Sequence, residues 1–293
     1  RAPPAPPFRR LPRRFAQSTA LFLSLFVATA AMAQSKPEHG DEVYQPTVGQ
    51  AGKDVIWVPT PDALVTKMLQ AVKTTKDDLV FDLGSGDGKI PIAAAKEFGA
   101  TAVGIEYNPD MADLARRNVK RAGVDGKVRI ITGDIFKEDF TKATVVTMYL
   151  LPDLNIKLRP IILKMKPGTR VTSHQFHMGD WEADERLNIE FRDAYVWYVP
   201  ADVAGEWAIK EESGGFEGVV TLAQRYQRVG GTITTGGKTQ PLLSPTLTGD
   251  KFAFSFVDGE NNLRTVKTTV SGATMSGDLS WFGRSTNISA RRR

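Results

Sequence analysis

The chain has 293 residues with no cysteine, 41% hydrophobic and 24% charged, enough apolar content to bury a core in one large domain or two modest ones. Disulfide frameworks, cysteine metal sites and thiol nucleophiles are excluded, and a three-histidine zinc site would need His39, His174 and His177 together. The formal charge of +5 belongs to the two ends: five arginines precede residue 34, three close the chain, and the body between holds 30 basic against 33 acidic residues, which argues against a basic body gripping a phosphate backbone.

Arg9, Arg10, Arg13 and Arg14 precede an apolar run from Ala20 to Ala33 that ends in Ala31-Met32-Ala33. A positive flank, a short apolar stretch and small residues at a cleavage position describe a secretory signal, so residues 1–33 are expected to be a signal peptide or targeting segment. The run has 14 residues, short of the roughly 20 that span a bilayer as a helix. Periplasmic or secreted location after cleavage is the leading expectation, with an uncleaved membrane anchor as the alternative. Residues 34–54 read as a polar linker.

Residues 55–190 alternate strand-like and helix-like patterns. Thr60-Pro61-Asp62 reads as N-cap, first helical residue and a dipole-facing acid, followed by Leu64, Val65, Met68, Leu69 and Val72 at helical spacing. Leu79-Val80-Phe81 is a buried strand, and a helix runs from Gly88 to Gly99. Further strands fall at Ala102–Ile105, Val128–Ile131, Thr144–Leu150 and Arg170–Ser173, with helices capped at Asn108-Pro109-Asp110 and running from Asp153 to Lys166. This alternation predicts an α/β fold, a Rossmann-like doubly wound and mostly parallel sheet. From about Tyr195 the period becomes two, in segments Tyr195–Val199, Gly205–Lys210, Gly218–Val229, Lys251–Val257 and Leu263–Val270. Residues 191–293 are therefore expected to form an antiparallel β-rich domain, a small barrel or half-barrel.

The first strand runs into Asp82-Leu83-Gly84-Ser85-Gly86-Asp87-Gly88. A dinucleotide loop reads G-x-G-x-x-G so that a pyrophosphate rests on the helix N-terminus. Here the spacing is G-x-G-x-G, and Asp82 and Asp87 oppose a pyrophosphate but suit a positively charged ligand without phosphate, such as S-adenosylmethionine. Glu106, with Tyr107 and Asn108 after it, ends the second strand 22 positions beyond Gly84, where a carboxylate accepts from both ribose hydroxyls. Asp134 ends the third, placed for the adenine amino group, with Ile135 against the ring. Taken singly, each acid also reads as a solvated loop residue.

Through Asp82 to Gly88, Glu106 and Gly133-Asp134, the chain resembles the class I S-adenosylmethionine-dependent methyltransferases. A narrower resemblance runs through Val58-Pro59-Thr60-Pro61, Val80 to Gly88, Thr147 to Pro152, Lys157 to Pro160, Pro167 to Val171 and Ser173-His174. In these motifs it is similar to the bacterial branch related to the mitochondrial protein-lysine methyltransferases, including the ATP synthase c-subunit lysine methyltransferase. That resemblance implies protein-lysine N-methylation, an N-terminal hydrophobic segment and a short motif just before the domain, here Val58 to Pro61, with Pro59 and Thr60 as candidate substrate-binding residues. The β-rich tail looks like an appendage of exported bacterial relatives.

The acceptor side is expected after the fourth strand, at Tyr149-Leu150-Leu151-Pro152. Tyr149 is a candidate to orient an amine, or equally a core aromatic at a strand end. His174 is a candidate proton acceptor, with a hydrogen-bonded structural histidine as the blander reading. Leu151, Pro152, Asp180 and Trp181 are candidates for the substrate entrance. The expected partner is a protein bearing a target lysine, with membrane association suggested by the front end; nucleic acid and metal are not expected. A small-molecule or lipid-headgroup methyltransferase, and an exported S-adenosylmethionine-binding protein without catalysis, remain as alternatives. The last is motivated by the cytosolic origin of the cofactor.

Overall fold

The computed structural model describes residues 39–293, so the expected targeting segment lies outside the described residues. Five short strands, β1 (Leu79–Leu83), β2 (Thr101–Glu106), β3 (Val128–Thr132), β4 (Val145–Met148) and β5 (Arg170–His174), pair in parallel in the order β3-β2-β1-β4-β5. Their side chains alternate between two apolar layers, as strands covered on both faces must. Val80, Ala102, Val128 and Val145 face α1 (Asp62–Ala71), α2 (Lys89–Phe98) and α3 (Pro109–Arg121). Phe81, Val103, Val146 and Val171 face α4 (Pro152–Ile162), whose Leu154, Leu158 and Ile162 are buried with them. The doubly wound parallel sheet is present.

Local chemistry sets the helix ends. Asn108 accepts from the backbone N–H groups of Asp110 and Met111 ahead of Pro109, a complete N-cap. Gly99 closes α2 in the left-handed conformation at φ +73°. Thr60, expected as the N-cap of α1, does not cap: Pro61 holds that position and the Thr60 hydroxyl is spent on His174, so burial against a tertiary partner replaces the local bond.

The expected boundary at residue 190 needs correcting. Glu185–Ile189 (β6) and Arg192–Tyr198 (β7) form a hairpin that extends the first sheet, with β7 antiparallel to β5. Trp197 and Val199 lie in the core beneath β4 and β5, so the alternating pattern at Tyr195–Val199 belongs to the first sheet.

The second sheet is wholly antiparallel: β8 (Gly205–Glu211), β9 (Glu217–Arg225), β10 (Arg228–Thr235), β11 (Lys238–Pro241), β12 (Leu243–Thr248), β13 (Lys251–Val257), β14 (Leu263–Ser271), β15 (Thr274–Trp281) and β16 (Arg284–Arg292). The segment expected as one strand over Gly218–Val229 is instead two, broken by a turn in which Tyr226 takes φ +53°. β8 pairs with β16, while the continuous run 238–248 pairs with β10 at its start and with β13 along its remainder. The two end strands of the ladder, β11 and β12, are therefore consecutive in the chain, and the sheet curls round into a barrel. Trp207, Phe252, Phe254, Phe256 and Leu279 fill its interior.

Residues 39–54 are not a linker. Asp41 is 9% exposed and accepts from Arg117 and Arg121 of α3, and the Arg117 guanidinium holds its carboxyl well below the usual range. Gly49 to Trp57 then form a small hairpin, with Gly49 N–H donating to Trp57 O at 2.8 Å and Trp57 N–H to Gln50 O at 2.9 Å.

Candidate functional site

The carboxyl ends of β1, β2, β3 and β4 surround one cavity of about 250 Å³. Crevices form there in open parallel sheets because the loops leave adjacent strands in opposite directions. Asp82, Glu106 and Asp134 all line it, as do Gly84, Ser85, Gly86, Asp87, Tyr107, Asn108 and Ile135. Gly84 and Gly86 have φ of +78° and +54°, and a Cβ on either would meet Leu150 Cδ2 at 2.9 Å or Trp57 Nε1 at 2.8 Å. Only glycine serves at both positions. Gly88, also expected there, does not line the cavity. At φ +83° it lets α2 approach Ala115 of α3, so its role is packing.

Each carboxylate is fixed before any ligand arrives. Glu106 accepts from Gly86 N–H and Asn108 N–H, both at 2.8 Å, one on each oxygen. Asp82 accepts from the Thr147 hydroxyl at 2.6 Å and is 2% exposed; burial pushes its pKa up to about 7. Burial also raises Asp87 and Glu106. Asp134 is the exception: Lys53 donates to its Oδ2 at 2.8 Å and lowers it. Lys53 lies in the 49–57 hairpin and also sits 4.7 Å above the Tyr107 ring, so the hairpin tip reaches across the mouth. Lys53 and Trp57 escaped sequence reading because nothing local marks residues so far from the glycine loop as its neighbours. The donor set, acids with two glycine approaches and an apolar Ile135, fits a cationic nucleoside and not a phosphate.

The opposite wall is aromatic. Tyr149 follows the last residue of β4, lines the cavity, and its hydroxyl has no hydrogen-bond partner among the described residues. His174 stacks behind it with ring centroids 3.8 Å apart. His174 is 2% exposed, shares a 3.1 Å hydrogen bond through Nδ1 with Thr60 Oγ1, and is pushed down to about 4 by burial and, secondarily, by the Arg192 charge. It does not line the cavity; its place is the supporting layer rather than that of a proton acceptor at the acceptor mouth. Pro59, Thr60 and Leu151 do line the cavity, and so does Phe176, which the sequence did not single out.

Pro152, Asp180 and Trp181 lie elsewhere. Pro152 is the first residue of α4, where its fixed φ suits the helix start. Asp180 pairs with Arg159 and Arg225, and Trp181 is fully buried with Nε1 donating to Gln227. Both hold the β9–β10 turn against the first sheet. Among the described residues, no group of three or more His, Asp or Glu is arranged to hold a metal, and no helix is long and apolar enough to cross a membrane.

Comparison with known proteins accords with this geometry. The profile of the ANTKMT methyltransferase domain matches residues 82–185, the stretch from the β1 carboxylate to the start of β6. A protein-lysine N-methyltransferase of Saccharolobus islandicus is 45% identical over 138 residues, which are 46% of this chain and 86% of that protein. The chain belongs to the ANTKMT methyltransferase family. The mouse ATP synthase c-subunit lysine N-methyltransferase is 34% identical over 129 residues, 44% of this chain and 51% of that enzyme, so the chain spans about half its length. A crystal structure described as an RNA methyltransferase from Salinibacter ruber in complex with S-adenosyl-L-homocysteine has 47% identity, covers 50% of this chain and 96% of that one, and has a TM-score of 0.49. The protein is a methyltransferase that uses S-adenosylmethionine, and the strand-end cavity has the chemistry to receive it.

Proposed function

We propose that the protein methylates the Nζ of a lysine in a protein substrate. One observation carries the reading: three carboxylates from neighbouring strand ends meet in a single cavity whose far wall is Tyr149. The relatives' names support a lysine acceptor.

Glu106 would hold the ribose hydroxyls through the lone pairs left after its two backbone bonds, and Asp134 the adenine amino group, with Ile135 beside the ring. Gly84 and Gly86 would let the backbone approach the methionine part, with ionised Asp82 opposite its ammonium. The bound cofactor supplies an electrophilic methyl group on a sulfonium.

The chain's own task is then to present a neutral amine in line and to exclude water. A free lysine amine has a pKa of about 10.4, so it must shed a proton on entry. The mouth lined by Ile56, Leu151, Leu154 and Phe176 is apolar, and desolvation there depresses an ammonium pKa. The Tyr149 hydroxyl, unpartnered among the described residues and on the cavity wall, would accept the amine's N–H and orient its lone pair. The hairpin over the mouth, tied by Lys53, would help to keep water from the methyl group.

Calorimetry with S-adenosylmethionine tests the cavity, and labelled cofactor with a bacterial extract tests the acceptor. Label recovered as methyl-lysine after acid hydrolysis is the expected result. Label confined to lipid or small molecules would overturn the lysine reading while leaving the methyltransferase intact.

A further inference from the structure

Phe176 follows β5 in a loop with unusual constraints. Gln175 takes φ +64°, a left-handed conformation costly for a residue with a Cβ, while its N–H donates to Asp193 O at 2.7 Å and Phe176 N–H to His174 O at 2.8 Å. Asn155 of α4, fully buried, sends its Nδ2 toward Ser173 Oγ at 3.3 Å, Phe176 O at 3.2 Å and His177 O at 3.4 Å. Its Oδ1 has no partner. A buried amide with an orphan acceptor is expensive, and two of its three bonds here secure the course of this loop. The loop in turn places the Phe176 ring 6.2 Å from the Tyr149 ring at 25° to it, on the cavity wall.

We propose that Phe176 determines acceptor specificity, its ring and that of Tyr149 forming the wall along which an unbranched primary alkylamine enters, and that Asn155 is the positioning residue that holds Phe176 there. This rests on the protein-lysine reading and names the residues that would carry its acceptor side. A lysine stem is four methylenes with a cation at the tip; a π face attracts both parts, and no hydrogen-bond acceptor is needed along the stem. Leu151 and Ile56 extend the apolar surface outward. The two lysines that line the cavity among the described residues are already paired with acids, Lys53 with Asp134 and Lys89 with Asp62 at 2.8 Å, so neither favours a phosphate or carboxylate acceptor.

The test uses the full chain, tritiated S-adenosylmethionine and a bacterial extract, with methyl-lysine counted after hydrolysis. Phe176→Leu is expected to lower the maximal rate at saturating cofactor at least tenfold, with the KM for cofactor within twofold of the parent. Phe176→Tyr, which keeps a ring, stays within threefold on both. Asn155→Leu, shown to be folded by its thermal transition, follows Phe176→Leu. A parental rate in Phe176→Leu, or a KM for cofactor that rises in step with the loss, overturns the specificity role. A folded Asn155→Leu with the parental rate overturns the positioning role. Absence of methyl-lysine from the parent protein overturns the lysine reading and this proposal with it, whereas methyl-lysine formed equally by parent and Phe176→Leu overturns this proposal alone.

Discussion

Thr60 and His174, 114 positions apart, share a 3.1 Å hydrogen bond in the buried layer behind Tyr149. The bond joins the segment entering α1 to the end of β5. Removing it by Thr60→Val leaves a buried imidazole nitrogen unpaired, and the expected loss is about 1–3 kcal/mol of unfolding free energy, measured by urea titration at pH 7.

The same histidine predicts an acid sensitivity. Its folded pKa of about 4 is below the unfolded value of 6.5, so the unfolded state binds the proton first. Stability from this group is complete above pH 6.5 and is lost as pH falls toward 4. From pH 7 to pH 5 the loss is about 2 kcal/mol. His174→Asn should remove that increment from the urea midpoints, and an unchanged slope would disprove the assignment.

Asp82 acts in the opposite direction. Its folded pKa of about 7 exceeds the ordinary 3.8, so its protonation favours the folded state between those values, and its ionisation is complete only above pH 7. If the ionised carboxylate faces the cofactor's ammonium, affinity for S-adenosylmethionine should fall about tenfold per unit below pH 6. Calorimetry from pH 5 to pH 7 measures this, and Asp82→Asn should bind weakly and lose the slope.

The Lys53–Asp134 pair closes the hairpin over the mouth but is partly exposed, and such pairs contribute little to folding. Lys53→Met should therefore leave the melting temperature within a degree or two. Release of cofactor should be about threefold faster, followed by stopped-flow tryptophan fluorescence, and raised salt should speed release in the parent but not in the variant.

Asp180 and Trp181 separate the entrance from the contact that supports it. Asp180→Ala should leave cofactor affinity within twofold, because the carboxylate serves Arg159 and Arg225 outside the cavity. Trp181→Ala, which empties a fully buried indole site, should cost about 3–5 kcal/mol in the same urea assay.

Much of the cofactor side could be read from residue order because its signals are local. A glycine loop must follow its strand directly, and the acids must stand at strand ends, so Asp82, Gly84, Gly86, Glu106 and Asp134 announce themselves by spacing within β1, β2 and β3. The Asn108 cap and the Gly99 stop are equally local.

What chain order determined, then, is the α/β alternation, the carboxylate set and the β-rich tail, each encoded in short-range pattern. The tertiary structure alone decided that Asp41 ties its segment to α3 while 50–57 lines the mouth, that β6 and β7 complete the first sheet, that the tail curls into a barrel, and that His174 lies behind Tyr149 while Phe176 faces the cavity. These depend on which buried surfaces meet across tens of residues, and alternation of apolar and polar side chains shows that a face will be covered without naming its cover.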